Sequence, residues 1–265
     1  MPDDTYTHGH HDAVLRSHRW RTAENSAAYL TPSLRPEMAL LDVGCGPGNL
    51  TIDLAGFVAP GRTVGIDRSQ DIVAQATASL DESSDVRFEV GDVYSLDFED
   101  DSFDVVHAHQ VLQHLSDPVA ALREMARVTR PGGLVAARDA DYHALTWYPG
   151  DPRLDRWMDI YQRVARANDA EPDAGRAVLA WAHEAGFANV EATASVWCFA
   201  DAESRSWWGG LWADRVTSSA FADQAIGYGF SDAAELIEVA SGFDDWAANR
   251  DAWFIVPHGE VLIHV

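Results

Sequence analysis

Residues 40–50, LLDVGCGPGNL, set Gly44, Gly46 and Gly48 directly behind a short apolar run. Glycine adopts positive φ without steric cost and has no side chain to hold a ligand away, so this density marks backbone that turns tightly or lies against a ligand. Two nucleotide chemistries are the first candidates. A dinucleotide fingerprint requires G-x-G-x-x-G, but counting from Gly44 puts its third glycine on Asn49, and the glycine comes one residue early at Gly48. A phosphate-binding P-loop requires Gly-Lys-Ser/Thr, which does not follow. Histidine supplies the other chemistry, as the usual proton acceptor near neutral pH. The crowded His8, His10 and His11 of YTHGHH invite a metal reading. No HxxxH or CxxC supports it, so no metal site is expected.

These residues are positioned by an alternation of elements. MALLDVG reads as a buried strand, NLTIDLAGFV as a helix, RTVGID as a second strand and SQDIVAQATASL as a helix with Ser69 as N-cap. VRFEVGD and FDVVHAH are the third and fourth strands, DPVAALREMARVT a helix and GGLVAARDA the fifth strand. Strands alternating with helices imply parallel βαβ units with right-handed crossovers: an α/β, Rossmann-like, doubly wound and mostly parallel sheet of seven strands. After Asp141 the rhythm changes. Helical patterns cover about 152–167 and 174–185, VEATASVWCFA is the sixth strand, and helices follow near 203–224 and 231–247. AWFIVPHGEVLIHV closes the chain as a last strand, bent at Pro257 and Gly259. Residues 1–35 are expected to form a helical lid segment and 36–265 the main domain, with helical cap insertions at about 142–186 and 201–250.

Composition narrows the partners. Lys plus Arg is 19 against 42 Asp plus Glu, a net charge of −23, and every basic residue is arginine. Such a surface repels nucleic acid and anionic membrane, and reads as a salt-loving host or a GC-rich genome. No apolar run approaches the roughly 18 residues of a membrane helix, and MPDDTYTHGHHD lacks a signal-peptide pattern. A cytoplasmic enzyme is expected. Cys45 and Cys198 are too few for a disulfide framework or zinc ribbon.

LLDVGCGPGN resembles the first motif of the class I S-adenosylmethionine-dependent methyltransferases, and GIDRS, VGDVYSLDFEDDSFDVV and VTRPGGLV match the later motifs in order and spacing. The resemblance covers about residues 38–140 and is nearest the ubiquinone/menaquinone-biosynthesis-like group. It implies an enzyme that binds S-adenosylmethionine, leaves S-adenosylhomocysteine and methylates a small-molecule acceptor. Gly44, Gly46 and Gly48, with Asn49 behind them, would let the amino-acid tail lie on bare backbone, and Asp42 would face its ammonium or simply brace the loop. Asp67 would accept from the ribose hydroxyls and Arg68 would cover the adenine. Asp92 would accept from the adenine amine, Val93 would donate its backbone N–H to the ring, and His109 and Gln110 would border the methionine moiety.

Methyl transfer needs a general base only for a weakly acidic hydroxyl or a carbon acid. The candidates follow strands four and five: His109 and His143 for the base role, with His114, Asp139, Asp141 and Tyr142 nearby. Tyr6, His114, Tyr142 and Trp208 are the candidate acceptor contacts. Arg16, Arg19 and Arg21 would grip a carboxylate or merely offset local acidity. The late tryptophans form a core stripe, with some lining an apolar acceptor pocket. A protein acceptor, a non-catalytic S-adenosylmethionine-binding protein and a dehydrogenase are the rival functions; the oligomeric state and the methylated atom are open.

Overall fold

The computed structural model describes Thr7, residues 12–81 and residues 84–265. Tyr6, His8, His10 and His11 lie outside the described residues.

Leu40–Val43 (β1) is buried along its whole length, as a parallel strand with helices on both faces must be. Thr63–Asp67 (β2) and Val86–Val90 (β3) flank it on one side, Phe103–His109 (β4) and Thr129–Ala140 (β5) on the other, giving the all-parallel order β3-β2-β1-β4-β5. The order reverses between β1 and β4, and in such sheets the crevice at the carboxyl ends of those strands is where ligands bind. Successive residues of β1 serve opposite faces. Leu41 and Val43 pack with Val106, Leu122 and Met125, whereas Leu40 packs with Leu30, Leu54 and Val58. Asn49–Val58 (α3), Gln70–Ala78 (α4) and Pro118–Arg127 (α5) are the crossover helices. The Ser69 hydroxyl caps α4 by accepting from Ile72 N–H.

The chain ends in Trp253–His264 (β8), which runs antiparallel to β5 on one edge and to Val190–Phe199 (β7) on the other. The expected seven strands become eight because Thr146–Tyr148 (β6) pairs with Trp253–Ile255. That short strand shares the β8 edge that β5 occupies further along, so it adds no row to the seven-strand plan. The pairing of β8 is not broken at Pro257 or Gly259: β7 pairs without interruption from Phe254 to Ile263. Pro257 falls between the β6 and β5 ladders, where its missing N–H breaks no pairing and its carbonyl accepts from Asp141 N–H at 3.0 Å. Gly259 answers a close approach, since a Cβ there would sit 1.7 Å from the carbonyl oxygen of Gly175.

The cap holds Pro152–Ala167 (α6), Ala202–Ser218 (α8), Ala220–Gly227 (α9) and Ala233–Ala248 (α10). The expected helix over 203–224 is broken because Ser219 is extended and its hydroxyl starts α9 by accepting from Phe221 N–H. Ala174–Glu184 (α7) is a sheet helix instead, burying Val178 and Ala182 in the same core as β5 and β8. Fully buried Trp157, Trp212, Phe243 and Phe254 form the cap's own core, with Trp157 and Trp212 edge-to-face at 4.5 Å. Most late tryptophans are therefore spent on holding the cap together. At the other end of the chain, Asp12–Arg19 (α1) rests on α8 through the Arg16–Asp214 ion pair and an Arg215–Ser17 bond. Ala23–Ser26 (α2) follows, with Thr22 and Asn25 closing a reciprocal cap.

Candidate active site

The loop after β1 passes through three left-handed glycines, Gly44 at φ +67°, Gly46 at +55° and Gly48 at +86°. A Cβ at Gly44 would lie 2.4 Å from Val111 and one at Gly48 2.4 Å from Phe88. Glycine is required there by both dihedral and contact. Gly48 thus seats the loop on β3 and does not face the cleft.

Asp67, at the end of β2, ties this loop to the next helix: its carboxylate accepts from Gly46 N–H at 3.2 Å and from Ser69 N–H at 3.0 Å. Asp92 follows β3 and accepts from Tyr94 N–H at 2.9 Å. Gly44, Gly46, Asp67, Arg68, Asp92 and Val93 all border one cavity of about 700 Å³. His109, Gln110 and His114 form its opposite wall, and Leu15, His18 and Arg21 border it from the N-terminal segment.

Asp42 sits beneath the loop, 2% exposed. One carboxylate oxygen accepts from Thr51 Oγ1 at 2.5 Å and the other meets His107 Nδ1 at 2.7 Å. It braces β1 against β4 and α3, and with Asn49 it borders a separate cavity of only about 20 Å³.

His109 is 4% exposed, and neither ring nitrogen has a hydrogen-bond partner. Burial first, then the guanidiniums of Arg21 and Arg138, holds its pKa well below the usual imidazole value. His109 is consequently a neutral ring at neutral pH, with polar atoms that a ligand would satisfy. Beside it stands His258, likewise held neutral by burial and then by Arg138 and Arg21. Gln110 joins them: Arg21 Nη2 donates to its Oε1 at 2.6 Å, and its amide nitrogen meets His258 Nε2 at 2.8 Å. This orients the amide, so its N–H donates and His258 accepts. Gln110 adopts φ +55°, a strained conformation for a residue with a side chain.

Below these rings, Arg138 and Glu260 form a buried pair at 3.1 Å that also holds Ser195. Burial lowers the Arg138 pKa to about 10, which leaves it cationic at neutral pH. His258 and Glu260 were not among the expected site residues. The alternation of the last strand was their one signal, since both lie on the buried face with Phe254 and Val256.

A smaller inner chamber of about 30 Å³ adjoins the cavity, sharing His18, Arg21, Gln110 and His114 with it. Tyr142, Trp197 and Trp208 supply its aromatic wall and Arg215 a second guanidinium. The expected acceptor contacts His114, Tyr142 and Trp208 are therefore brought together there. His143 is not: it is exposed, borders none of these cavities, and its backbone N–H donates to Asp173. Among the described residues no cluster fit to hold a metal ion occurs and no helix is long and apolar enough to cross a membrane.

Comparison with known proteins gives this arrangement a family. A family model described as a methyltransferase domain matches residues 34–195. An uncharacterized methyltransferase of Schizosaccharomyces pombe is 33% identical over 97% of this chain and 95% of its own length. A demethylmenaquinone methyltransferase of Roseiflexus castenholzii is 34% identical over 58% of this chain and 63% of its own. The crystal structure of the YcgJ protein of Bacillus subtilis shares the fold, with a TM-score of 0.56 and 23% identity over 96% of this chain and 98% of that one. With the model spanning more than half of it and a relative aligned along nearly its whole length, the chain belongs to the methyltransferase-domain family.

Proposed function

We propose that the protein transfers a methyl group from S-adenosylmethionine to a small-molecule acceptor. The observation that carries this reading is the 700 Å³ cavity at the sheet's switch point, bordered by glycine backbone and by a carboxylate at each of two strand ends. Cavities of about 300–1,000 Å³ suit ligands of drug size. The residues present fit S-adenosylmethionine: bare backbone at Gly44 and Gly46 for its zwitterionic tail, Asp67 for the ribose diol, and Asp92 with Val93 for the adenine. When bound, it supplies an electrophilic methyl on a sulfonium.

The chain's part is to hold, align and dry the reactants, because an in-line displacement gains most from orientation and exclusion of water. Asp67 has oxygen lone pairs to spare beyond the Gly46 and Ser69 N–H groups and would accept from the sugar. Leu15, His18 and Arg21 close the cavity from the N-terminal side. His109 accepts a hydrogen bond from the acceptor's hydroxyl or amine and points that atom at the methyl. Its depressed pKa opposes full protonation, so its role is orientation ahead of strong base catalysis. His143 has no part in this scheme.

Calorimetry with S-adenosylhomocysteine and a labelled-methyl assay on fractionated host metabolites test the reading. Binding together with label transfer to a low-molecular-weight fraction is expected. Affinity for NADH without affinity for S-adenosylhomocysteine, or transfer only to protein, would overturn it.

A further inference from the structure

The three glycines of the loop after β1 face different neighbours. A Cβ at Gly44 would meet Val111 and one at Gly48 would meet Phe88, both within the sheet domain. A Cβ at Gly46 would meet, among the described residues, only His18, whose Nδ1 lies 3.3 Å and whose Cγ lies 4.0 Å from that point. The middle glycine is therefore covered by the N-terminal segment, ahead of the residues 34–195 that the methyltransferase-domain model matches. His18 is held there from both sides. Ser17 accepts from Arg215 on α8, and Trp20 packs edge-to-face on Trp197 with ring centroids 5.1 Å apart. Past Trp20, Ala23 N–H donates to Asp53 on α3 at 2.6 Å. A ring placed before its ligand arrives has less ordering cost to meet on binding.

The surroundings of the ring limit what it meets. His18 and Arg21 are common to the borders of the large cavity, the inner chamber and the cavity of about 20 Å³ beside Asp42. Arg21 turns its Nη2 to Gln110, whereas His18 lies on the loop. Asn49 and Leu50, the first residues of α3, border the small cavity too, and their N-cap Gly48 has no side chain to accept from the first-turn N–H groups. His109 borders it as well, 4% exposed and with both ring nitrogens unpartnered. A helix N-terminus and an imidazole N–H favour an anion, while the Asp42 carboxylate on the same border favours a cation. A zwitterion laid along the loop satisfies both, with a carboxylate for His18 and α3 and an ammonium for Asp42.

We propose that His18 holds the amino-acid tail of S-adenosylmethionine on the glycine loop, its ring N–H donating to the tail's carboxylate, so that the N-terminal segment completes the methyl donor's site. This assignment rests on the methyl-transfer reading and adds to it a contact from outside the matched motifs. The adenosine half is left to Asp67, Asp92 and Val93, which border the large cavity and neither of the smaller ones. Loss of His18 is consequently felt by ligands that carry the tail and not by those that lack it.

The test is calorimetry on the full chain with two probes: S-adenosylhomocysteine, and methylthioadenosine, which keeps the adenosine and thioether but has no amino-acid tail. His18→Ala is expected to weaken S-adenosylhomocysteine at least tenfold while methylthioadenosine stays within threefold. His18→Asn, which returns an N–H donor to the same side, is expected to recover most of the loss. A second measurement needs no substitution. Carbethoxylation of the half-buried His18, read by mass spectrometry on the unaltered protein, is expected to slow at least tenfold under saturating S-adenosylhomocysteine and less than threefold under saturating methylthioadenosine. Equal weakening or equal protection with the two probes would show that His18 merely packs the segment in place, and would overturn the assignment with methyl transfer intact; so would an unchanged S-adenosylhomocysteine affinity in His18→Ala. Failure of the unaltered protein to bind S-adenosylhomocysteine would overturn methyl transfer itself.

Discussion

Asp139 offers the sharpest quantitative test of the site's electrostatics. It is wholly buried at the end of β5; Gln113 N–H donates to its Oδ1 at 3.0 Å, and its Oδ2 has no partner. Burial pushes its carboxyl from 3.8 up to about 7, outweighing the backbone donors and the Arg138 and Arg21 charges that pull it down. Below about pH 3 folded and unfolded chains both carry the protonated acid, and the shift costs nothing. As pH rises the unfolded chain ionises first while the folded chain keeps its proton, so folding is progressively disfavoured until about pH 7, where the cost levels off. At about 1.4 kcal/mol per pKa unit, the shift from 3.8 to about 7 costs roughly 2 kcal/mol at pH 5 and roughly 4 kcal/mol at pH 8. Asp139→Asn keeps an oxygen for Gln113 N–H and removes the ionisation. The stability difference between variant and parent should therefore grow in the variant's favour by about 2–3 kcal/mol from pH 5 to pH 8. Urea unfolding of both proteins at half-unit pH steps measures it, every other titrating group being common to the pair. A difference that is flat with pH, or that shrinks as pH rises, would refute the reasoning.

Other outcomes follow from the same geometry. Asp67→Ala removes an acceptor that also ties Gly46 to Ser69, and should weaken S-adenosylhomocysteine binding by about 1–3 kcal/mol; unchanged affinity by calorimetry would remove Asp67 from cofactor recognition. Glu260→Gln leaves the buried Arg138 charge uncompensated and should lower stability by about 3–5 kcal/mol, read as a fall in the urea midpoint; a loss under 1 kcal/mol would contradict it. With a net charge of −23, the melting temperature should rise between 0.1 M and 1 M salt as the Debye length falls from about 10 Å to about 3 Å; a flat profile would dismiss self-repulsion. Because Leu15, His18 and Arg21 border the cavity, hydrogen exchange in residues 12–21 should slow when S-adenosylhomocysteine is added; protection confined to the glycine loop would argue against closure.

What was legible in the sequence was whatever depends on neighbours along the chain. The central strands announce themselves as apolar runs, the crossover helices by their caps, and the glycine spacing excludes a pyrophosphate loop because each of these is a local matter of dihedral and period. Asp67 and Asp92 could be named because a strand end is a position countable from the sequence. Long-range pairing is not countable. The extra strand β6 exists only because β8 overhangs the end of β5, and Pro257 reads as a bend until the gap between those two ladders is known.

The distinction is clearest among the polar residues. His109 and His143 both looked like proton acceptors after a strand. Tertiary structure buried the first against Trp197 and His258 and left the second in solvent, because the turn after β5 is pinned outward at Asp173. Asp42 was a candidate for the ammonium, and the packing of β4 and α3 against β1 engaged both its oxygens with His107 and Thr51. The inner chamber was visible only in part: Arg21 stood out as a possible carboxylate grip, but Arg215, Trp197 and Val256 come from three distant elements that meet there only in the folded chain. The wall of the large cavity formed by Gly44, Gly46, Asp67 and Asp92 lies within about fifty residues and follows local rules. The inner chamber takes Trp208 and Arg215 from the cap, whose helices are placed by burial of Trp157, Trp212 and Phe243 and by no pattern within any one of them.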